Sequence, residues 1–202
     1  SAGWSHRVQK LRLSDGEHLG TVGNADCSSG RGDRQFNFPC GLCVASGAVY
    51  VCDTLNHRIV VLGTDLSWRY TIGCEGTGDG EFGKPTAVAA HGGELYVADH
   101  DNGRVQVFGP DRDGRMQFRR KFGGLAGPFK TLAGLAIVRG LLVVSGAGTG
   151  LQGRALAGAG RQVLTDDFDG VDVAGLCAGP GEKQLWLADA SGHSVHVFTV
   201  KP

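Results

Sequence analysis

Two copies of one charged pattern have the residue types and spacing to form an ion pair across a tight turn. The pattern comprises Asp53, Asn56 and Arg58 in the first copy and Asp99, Asn102 and Arg104 in the second. A catalytic pair is seldom copied into successive repeats, whereas a structural hairpin needs a charge pair beside its turn and an Asn that tolerates left-handed backbone. We therefore predict structural hairpin pairs, Asp53 with Arg58 and Asp99 with Arg104, and no catalytic residue.

The cysteines offer a second possible chemistry, since Cys40 and Cys43 have the CxxC spacing of redox and zinc sites. Residues three apart on a strand point to opposite faces, and no second CxxC is present to complete a four-ligand zinc site. We expect both to pack as small apolar side chains. Cys52 and Cys177 also lie inside apolar runs, so we expect the same of them. Two further cysteines, Cys27 and Cys74, lie in polar, Gly-rich loops. The sequence allows either a reactive thiol or a disulfide at these two positions.

A GxGxxG sequence, Gly148 to Gly153, follows a strand-like stretch and has Asp166 further on, as in a dinucleotide-binding fingerprint. With 35 glycines in 202 residues, such a pattern is expected about once by chance, and it has meaning only within a β-α-β unit. We predict no bound cofactor.

Metal and hydrolase signatures are incomplete. Asp99, His100 and Asp101 are adjacent, but the twelfth position counted from Asp99 is Pro110, where an EF-hand needs a bidentate Glu. HExxH, GxSxG and GxxxxGK[ST] do not occur. We predict no metal site, although a triad assembled from distant residues would escape this test.

The composition describes an ordinary globular chain. Twenty basic and twenty acidic side chains cancel, so the chain has no overall positive charge to attract nucleic acid or anionic lipid. The longest apolar stretches, 131–138 and 140–153, are too short or too Gly-rich to span a bilayer, so no membrane association is expected. The start at Ser1 suggests a processed or excised piece, and without a signal-peptide pattern the compartment stays open, with the cytoplasm favoured.

The charged pattern belongs to a longer repeat. Phe36 and Pro39 recur 46 positions later as Phe82 and Pro85, and a period of 40 to 50 residues is typical of propeller blades. The repeat continues more faintly downstream, and at the other end the segment 5–11 matches 56–62. The chain therefore opens midway through a unit.

Each unit contains short Val-, Ile-, Tyr- and Leu-rich runs separated by Gly, Asp and Asn, which favours four antiparallel strands. In the run 49–52 both alternating positions are apolar or small, with Tyr50 and Cys52 on one side and Val49 and Val51 on the other. Both sheet faces must then be covered, as when blades stack face to face.

The succession Phe-x-x-Pro, Tyr-Val-x-Asp and Asp-x-x-Asn-x-Arg resembles the NHL repeat. The resemblance implies an all-β propeller, usually of six blades, in proteins as different as ubiquitin ligases, RNA-binding repressors, sensor kinases, lyases and hydrolases, so the fold does not imply one function. We expect one domain, 1–202, with units at about 1–23 (partial), 32–73, 78–123, 125–165 and 170–202. The unit 125–165 is degenerate, with Ser145, Gly148 and Gly150 in place of Asp, Asn and Arg. About four blades plus a half-blade suggest a truncated six-bladed ring, although a smaller closed ring remains possible.

The strand order places the second-to-third hairpins and the blade-to-blade connections at one end of the blades, where a rigid scaffold commonly presents binding residues. The candidates for this binding face are Arg31, Arg34, Asn56, His57, Lys84, His100, Asp101 and Asn102.

Three functions follow from these observations. The first is non-enzymatic recognition of a protein partner, because the loops are mixed in charge and short of exposed aromatic residues; the resemblance implies that such a module belongs to a larger ubiquitin-ligase-like or sensor protein. The second is binding of single-stranded RNA by the same face, for which a basic patch and stacking groups are needed. The third is a metal-dependent lyase or hydrolase, which would need His and carboxylate side chains converging on the axis. The partner's identity and the oligomeric state are left open.

Overall fold

The computed structural model describes residues 3–123, 132–146, 150–156, 161–162, 173–179, 184–189 and 194–199, and these form five antiparallel sheets. A two-stranded sheet comprises β1 (Arg7–Leu11) and β2 (His18–Gly23). The first four-stranded sheet comprises β3 (Pro39–Ala45), β4 (Ala48–Asp53), β5 (Arg58–Gly63) and β6 (Trp68–Ile72). The second comprises β7 (Pro85–His91), β8 (Glu94–Asp99), β9 (Arg104–Pro110) and β10 (Met116–Gly123).

The later sheets repeat this order. The third comprises β11 (Leu132–Val138), β12 (Leu141–Gly146), β13 (Gly150–Ala155) and a short β14 (Arg161–Gln162). The last, three-stranded, comprises β15 (Val173–Ala178), β16 (Gln184–Asp189) and β17 (Ser194–Thr199). Gly148 and Thr149 of the degenerate unit, and Asp166 just after it, lie outside the described residues.

Each sheet packs its apolar face against the next sheet. Tyr50 and Cys52 belong to the core between the first and second four-stranded sheets. Val49 and Val51 belong to the core shared with β1 and β2. The expectation that both faces of this strand are covered is confirmed, and it explains why residues 48–52 are apolar or small at every position.

The first strands of successive sheets, β3, β7, β11 and β15, lie beside one another. At Gly41 the approach is so close that a Cβ would stand 2.6 Å from the Thr86 carbonyl oxygen and 2.7 Å from the Ala87 Cα. The sheets therefore radiate from a common line of inner strands, as the blades of a β-propeller do. The predicted all-β fold of a half-blade followed by about four blades is confirmed.

The strand order also sets the two ends of the blades. The turn 54–57, between β4 and β5, lies at the same end as the connection 73–84 that leads to the next blade. We call this end, with the equivalent turn 100–103 and connection 24–38, the loop end. The hairpins 46–47 and 64–67 lie at the opposite end. In the described part of the chain, no helix is long and apolar enough to cross a membrane.

Candidate binding surface at the loop end

The repeated Asp and Arg form a buried pair that holds the loop end together. Arg58 Nε donates to Asp53 Oδ2 across 2.8 Å, and the Asp53 side chain is fully buried. Arg58 also donates to the carbonyls of Gly32 and Gln35 at 2.9 and 3.1 Å. The pair therefore ties the turn after β4 to the connection that precedes the blade.

The second blade repeats this network. Arg104 Nε lies 2.9 Å from Asp99 Oδ2, and the guanidinium donates to the Thr77, Gly78 and Glu81 carbonyls, each at 2.8 Å. Because both copies use their donors within the protein, the arrangement can position loops but offers no free group for chemistry.

Burial raises the pKa of Asp53 above its ordinary value, while hydrogen bonds from the Asn37 backbone N–H, the Asn56 amide and Arg58 act in the opposite direction. The carboxylate accepts all three. These donors offset part of the cost of placing a charge in the interior.

An open depression of about 430 Å³ lies at the loop end, in front of the first two complete blades. Its walls combine apolar and polar side chains: Trp4, His6, Phe38, Cys40, Thr54, Leu55, Lys84, Thr86 and His100. Trp4 is 86% exposed and Leu55 is 41% exposed. The Trp4 and Phe38 rings meet edge to face with centroids 5.2 Å apart.

The exposed Trp4 corrects the expectation that this end lacks exposed aromatic residues. Trp4 comes directly before Ser5, and Leu55 comes directly before Asn56, the residue that aligns with Ser5. Both lie in short 3-10 turns, Gly3–Ser5 and Thr54–Asn56. They therefore occupy equivalent positions in successive units. The repeat alignment could have indicated these two residues, because a turn does not itself require an apolar side chain at this position.

Three of the predicted binding-face residues lie together at one rim of the depression. Asp101 bridges Lys84, whose Nζ is 3.0 Å from Oδ2, and His100, whose Nδ1 is 2.7 Å from Oδ1. Burial acts to raise the pKa of Asp101, but the hydrogen bonds from His100 and Lys84 outweigh it, so the pKa is lowered. The positive charge of Lys84 is thus largely matched by a neighbouring carboxylate.

The other candidates are placed differently. Arg31 and Arg34 are exposed on the connection before the first complete blade and do not line the depression. The side chain of Asn56 is buried and donates to the Gly30 carbonyl at 2.7 Å, and Asn102 donates to the Gly76 carbonyl at 2.9 Å. Both amides are therefore engaged within the protein rather than presented to a partner.

His57 is partly buried between two groups of the next connection. Its Nδ1 donates to the Gly83 carbonyl, and its Nε2 lies 3.9 Å from the Glu75 carboxylate. Its ring therefore borders Gly83 rather than the open depression.

The cysteines divide between interior and surface. Cys43 packs against the core, and burial raises the pKa of its thiol to about 12, whereas redox-active cysteines have a lowered pKa. Cys52 is buried, but Cys177 is exposed on the last sheet, which corrects the burial inferred from its apolar run. Cys74 is exposed and Cys27 is half-buried. Over the described ranges, no three His, Cys, Asp or Glu side chains lie close enough to share a metal ion.

Comparison with known proteins agrees with this architecture. The sequence pattern of the NHL repeat matches residues 36–62 and 82–108. No curated protein sequence matches the chain significantly.

Solved structures resemble the chain in fold. A chain of the nidogen/laminin complex superimposes with a TM-score of 0.66 and 16% identity, over 95% of this chain and 66% of its own length. The Cps50 (Swd1) β-propeller domain of Myceliophteria thermophila has a TM-score of 0.60 and 12% identity, over 81% of this chain and 54% of its own. Glutaminyl cyclase of Myxococcus xanthus has a TM-score of 0.58 and 12% identity, over 96% of this chain and 83% of its own. At these identities the likeness concerns the fold alone, and the chain spans about half to two thirds of the first two structures.

Proposed function

We propose that this chain, which carries two NHL repeats in a β-propeller fold, is a recognition module that binds a protein partner in the depression at its loop end. The observation that supports this proposal is the exposure of Trp4 and Leu55 beside Phe38 in one open depression. Exposed apolar side chains gathered in a recess are characteristic of interaction sites, and Trp is enriched among the residues that dominate binding energy.

The surroundings of the depression also favour a protein ligand. The apolar wall is bordered by the Lys84, Asp101 and His100 cluster, which combines one carboxylate with basic groups. An apolar centre with a polar rim of mixed charge is the usual composition of a protein–protein interface. The turn that carries Thr54 and Leu55 is anchored by the buried Asp53–Arg58 pair, so this part of the surface needs little ordering before it binds.

Single-stranded RNA is the second candidate, because an exposed Trp4 provides a platform on which a base can stack. The charge distribution favours this candidate less than the first. Lys84 is paired with Asp101, and Arg31 and Arg34 do not line the depression. A phosphate backbone passing through it would therefore meet few unpaired cations.

The experiment compares capture of partners by the wild-type chain and by a Trp4→Ala, Leu55→Ala double variant. Leu13→Ala is the matched control, because Leu13 is fully exposed on the hairpin at the opposite end. Proteins cross-linked to both the wild-type chain and the control are then purified and titrated against all three chains. We expect the double variant to bind at least about tenfold more weakly, the loss typical of anchor residues.

Equal affinity of the double variant and the wild-type chain would refute the proposal. Titration with a mixed-sequence single-stranded RNA at low and physiological salt tests the second candidate. Salt-sensitive binding that requires Trp4 would establish RNA as the ligand instead.

A further inference from the structure

A second recess lies at the opposite end of the blades from the proposed protein-binding surface. It is a groove of about 650 Å³ between the first two complete blades. The residues that matter in it are Ala48, Tyr50, Arg69, Tyr70, Arg115 and Met116. We call it the inter-blade groove.

In the second blade, the position equivalent to part of this groove is filled by the carboxylate of Glu94, which belongs to the chain itself. The Tyr96 hydroxyl donates to Glu94 Oε2 at 2.8 Å. Arg120 donates to both Glu94 oxygens, at 2.5 and 2.7 Å, and its Nη2 lies 3.4 Å from the Tyr96 hydroxyl. Tyrosine and arginine thus hold one carboxylate between them, in the bidentate geometry that guanidinium groups favour.

The strand register identifies the corresponding residues of the first blade. Tyr50 pairs with Val61, which pairs with Tyr70. In the second blade Tyr96 pairs with Val107, which pairs with Arg120. Tyr50 therefore corresponds to Tyr96, and Tyr70 to Arg120.

The residue at the Glu94 position of the first blade is Ala48, which carries no carboxylate. The open volume of the groove lies beside this alanine. Burial raises the pKa of Tyr50, and a hydrogen bond between the Tyr50 and Tyr70 hydroxyls acts in the same direction. The first blade thus retains the tyrosine of the motif but has no carboxylate at this position, and the Tyr50 hydroxyl interacts with Tyr70 instead.

Cations are nevertheless present. Arg115, from the hairpin of the second blade, lies over the Tyr70 ring with its guanidinium carbon 5.5 Å from the ring centroid. Neither Arg115 nor Arg69 forms an ion pair within 4.0 Å in the part of the chain that the structure describes. Asp113 is the acidic group among the lining residues, so the groove suits a single carboxylate better than a multiply charged anion.

We propose that the inter-blade groove binds the carboxylate of a glutamate side chain in an acidic peptide, which takes the place that Glu94 fills in the second blade. The Tyr50 hydroxyl and the Arg69 and Arg115 guanidinium groups donate to the carboxylate. Met116 contacts its apolar stem. The site is independent of the loop-end surface, since it uses different residues at the other end of the blades.

The test measures binding of three labelled tripeptides to the full chain by fluorescence anisotropy. They are acetyl-Leu-Glu-Leu-amide, acetyl-Leu-Gln-Leu-amide and acetyl-Leu-Gln-Leu with a free carboxyl terminus. We expect the Glu peptide to bind and the Gln amide to bind at least about tenfold more weakly, as the loss of a charge-assisted hydrogen bond predicts. If only the peptide with the free terminus binds, the groove recognises a terminal carboxylate and the assignment to a side chain is wrong.

Three variants locate the site. Tyr50→Phe and Arg115→Gln should each weaken binding of the Glu peptide by about tenfold, whereas Arg112→Gln, on the same hairpin but outside the groove, should not change it. Ala48→Glu introduces the carboxylate of the second blade and should compete with the peptide. Equal binding of the Glu and Gln amides, or unchanged binding by both Tyr50→Phe and Arg115→Gln, would overturn the proposal.

Discussion

The backbone N–H of Phe38 donates a hydrogen bond to Nδ1 of His6 across 2.9 Å. Phe38 has a φ of +56°, a left-handed conformation that is unusual for an aromatic residue and costs free energy. In the next unit His57 occupies the position of His6, but its Nδ1 faces the Gly83 carbonyl instead. Equivalent histidines thus face opposite sides of equivalent peptide bonds, and Lys84, the counterpart of Phe38, does not share the left-handed φ.

We predict that His6→Ala lowers the free energy of unfolding by about 1 to 2 kcal/mol, because the Phe38 N–H loses its acceptor. Adding Phe38→Gly should recover part of this loss, since glycine adopts a positive φ without steric cost. Urea unfolding measures both effects. His18→Ala, which removes an exposed histidine, is the control and should change little. No recovery in the double variant would mean that the strain at Phe38 costs less than the loss of its ring contact with Trp4.

Arg58→Ala should destabilise the fold by about 3 kcal/mol, because it leaves the buried Asp53 carboxylate without its main partner. Arg12→Ala breaks an exposed pair with Asp15 and should cost less than about 1 kcal/mol. Urea unfolding of the two variants gives the comparison. Unchanged unfolding of Arg58→Ala together with lost binding would instead assign Arg58 to the binding surface.

Gly41→Ala should cost about 1 to 3 kcal/mol, because the new Cβ would overlap backbone atoms of Thr86 and Ala87 on the next inner strand. The control is Gly175→Ala, at the equivalent position of the last sheet, where no atom of the described residues lies within 4 Å of the added Cβ. Thermal unfolding should separate the two. Equal midpoints would show that the inner strands can move apart without cost.

Because of the Glu94 carboxylate, the free energy of unfolding should depend on pH in the acid range. Hydrogen bonds from Arg120 lower the pKa of Glu94 below its ordinary value of 4.5. The pair therefore stabilises the native state above pH 4.5, and this contribution is lost as the pH falls through the lowered pKa.

Glu94→Gln should thus reduce the free energy of unfolding at pH 7 by about 0.5 kcal/mol, the scale of a partly exposed pair, and by less at pH 3. Urea titrations at the two pH values measure the difference. Asp33→Asn removes an exposed charge and serves as the control. A loss that is the same at pH 7 and pH 3 would contradict the assignment.

Much of the architecture was predictable because it repeats along the chain. The 46-residue offset between Phe36 and Phe82 identified the blades, and the alternation around Tyr50 identified a strand covered on both faces. The 46-residue offset does not extend to the outer strands. The register places Arg120 at the position of Tyr70, 50 residues away rather than 46, because the preceding hairpin is longer in the second blade.

The candidate surface was less accessible to prediction. Lys84, His100 and Asp101 do lie together at the loop end, but polarity alone could not show that Asn56 is buried and bonded to Gly30. Trp4 escaped notice because its exposure depends on which side chains surround it, and Phe38 approaches it from a segment more than thirty residues further along the chain.

Sequence alone was enough for the strand units, their order and the Asp53–Arg58 pair, because these depend on residues close together within one repeat. The depression around Trp4 and the groove beside Ala48 depend on how separate blades meet. Side chains from different repeats line both recesses, and their separation is set by sheet packing and hairpin length, which no short stretch of sequence encodes.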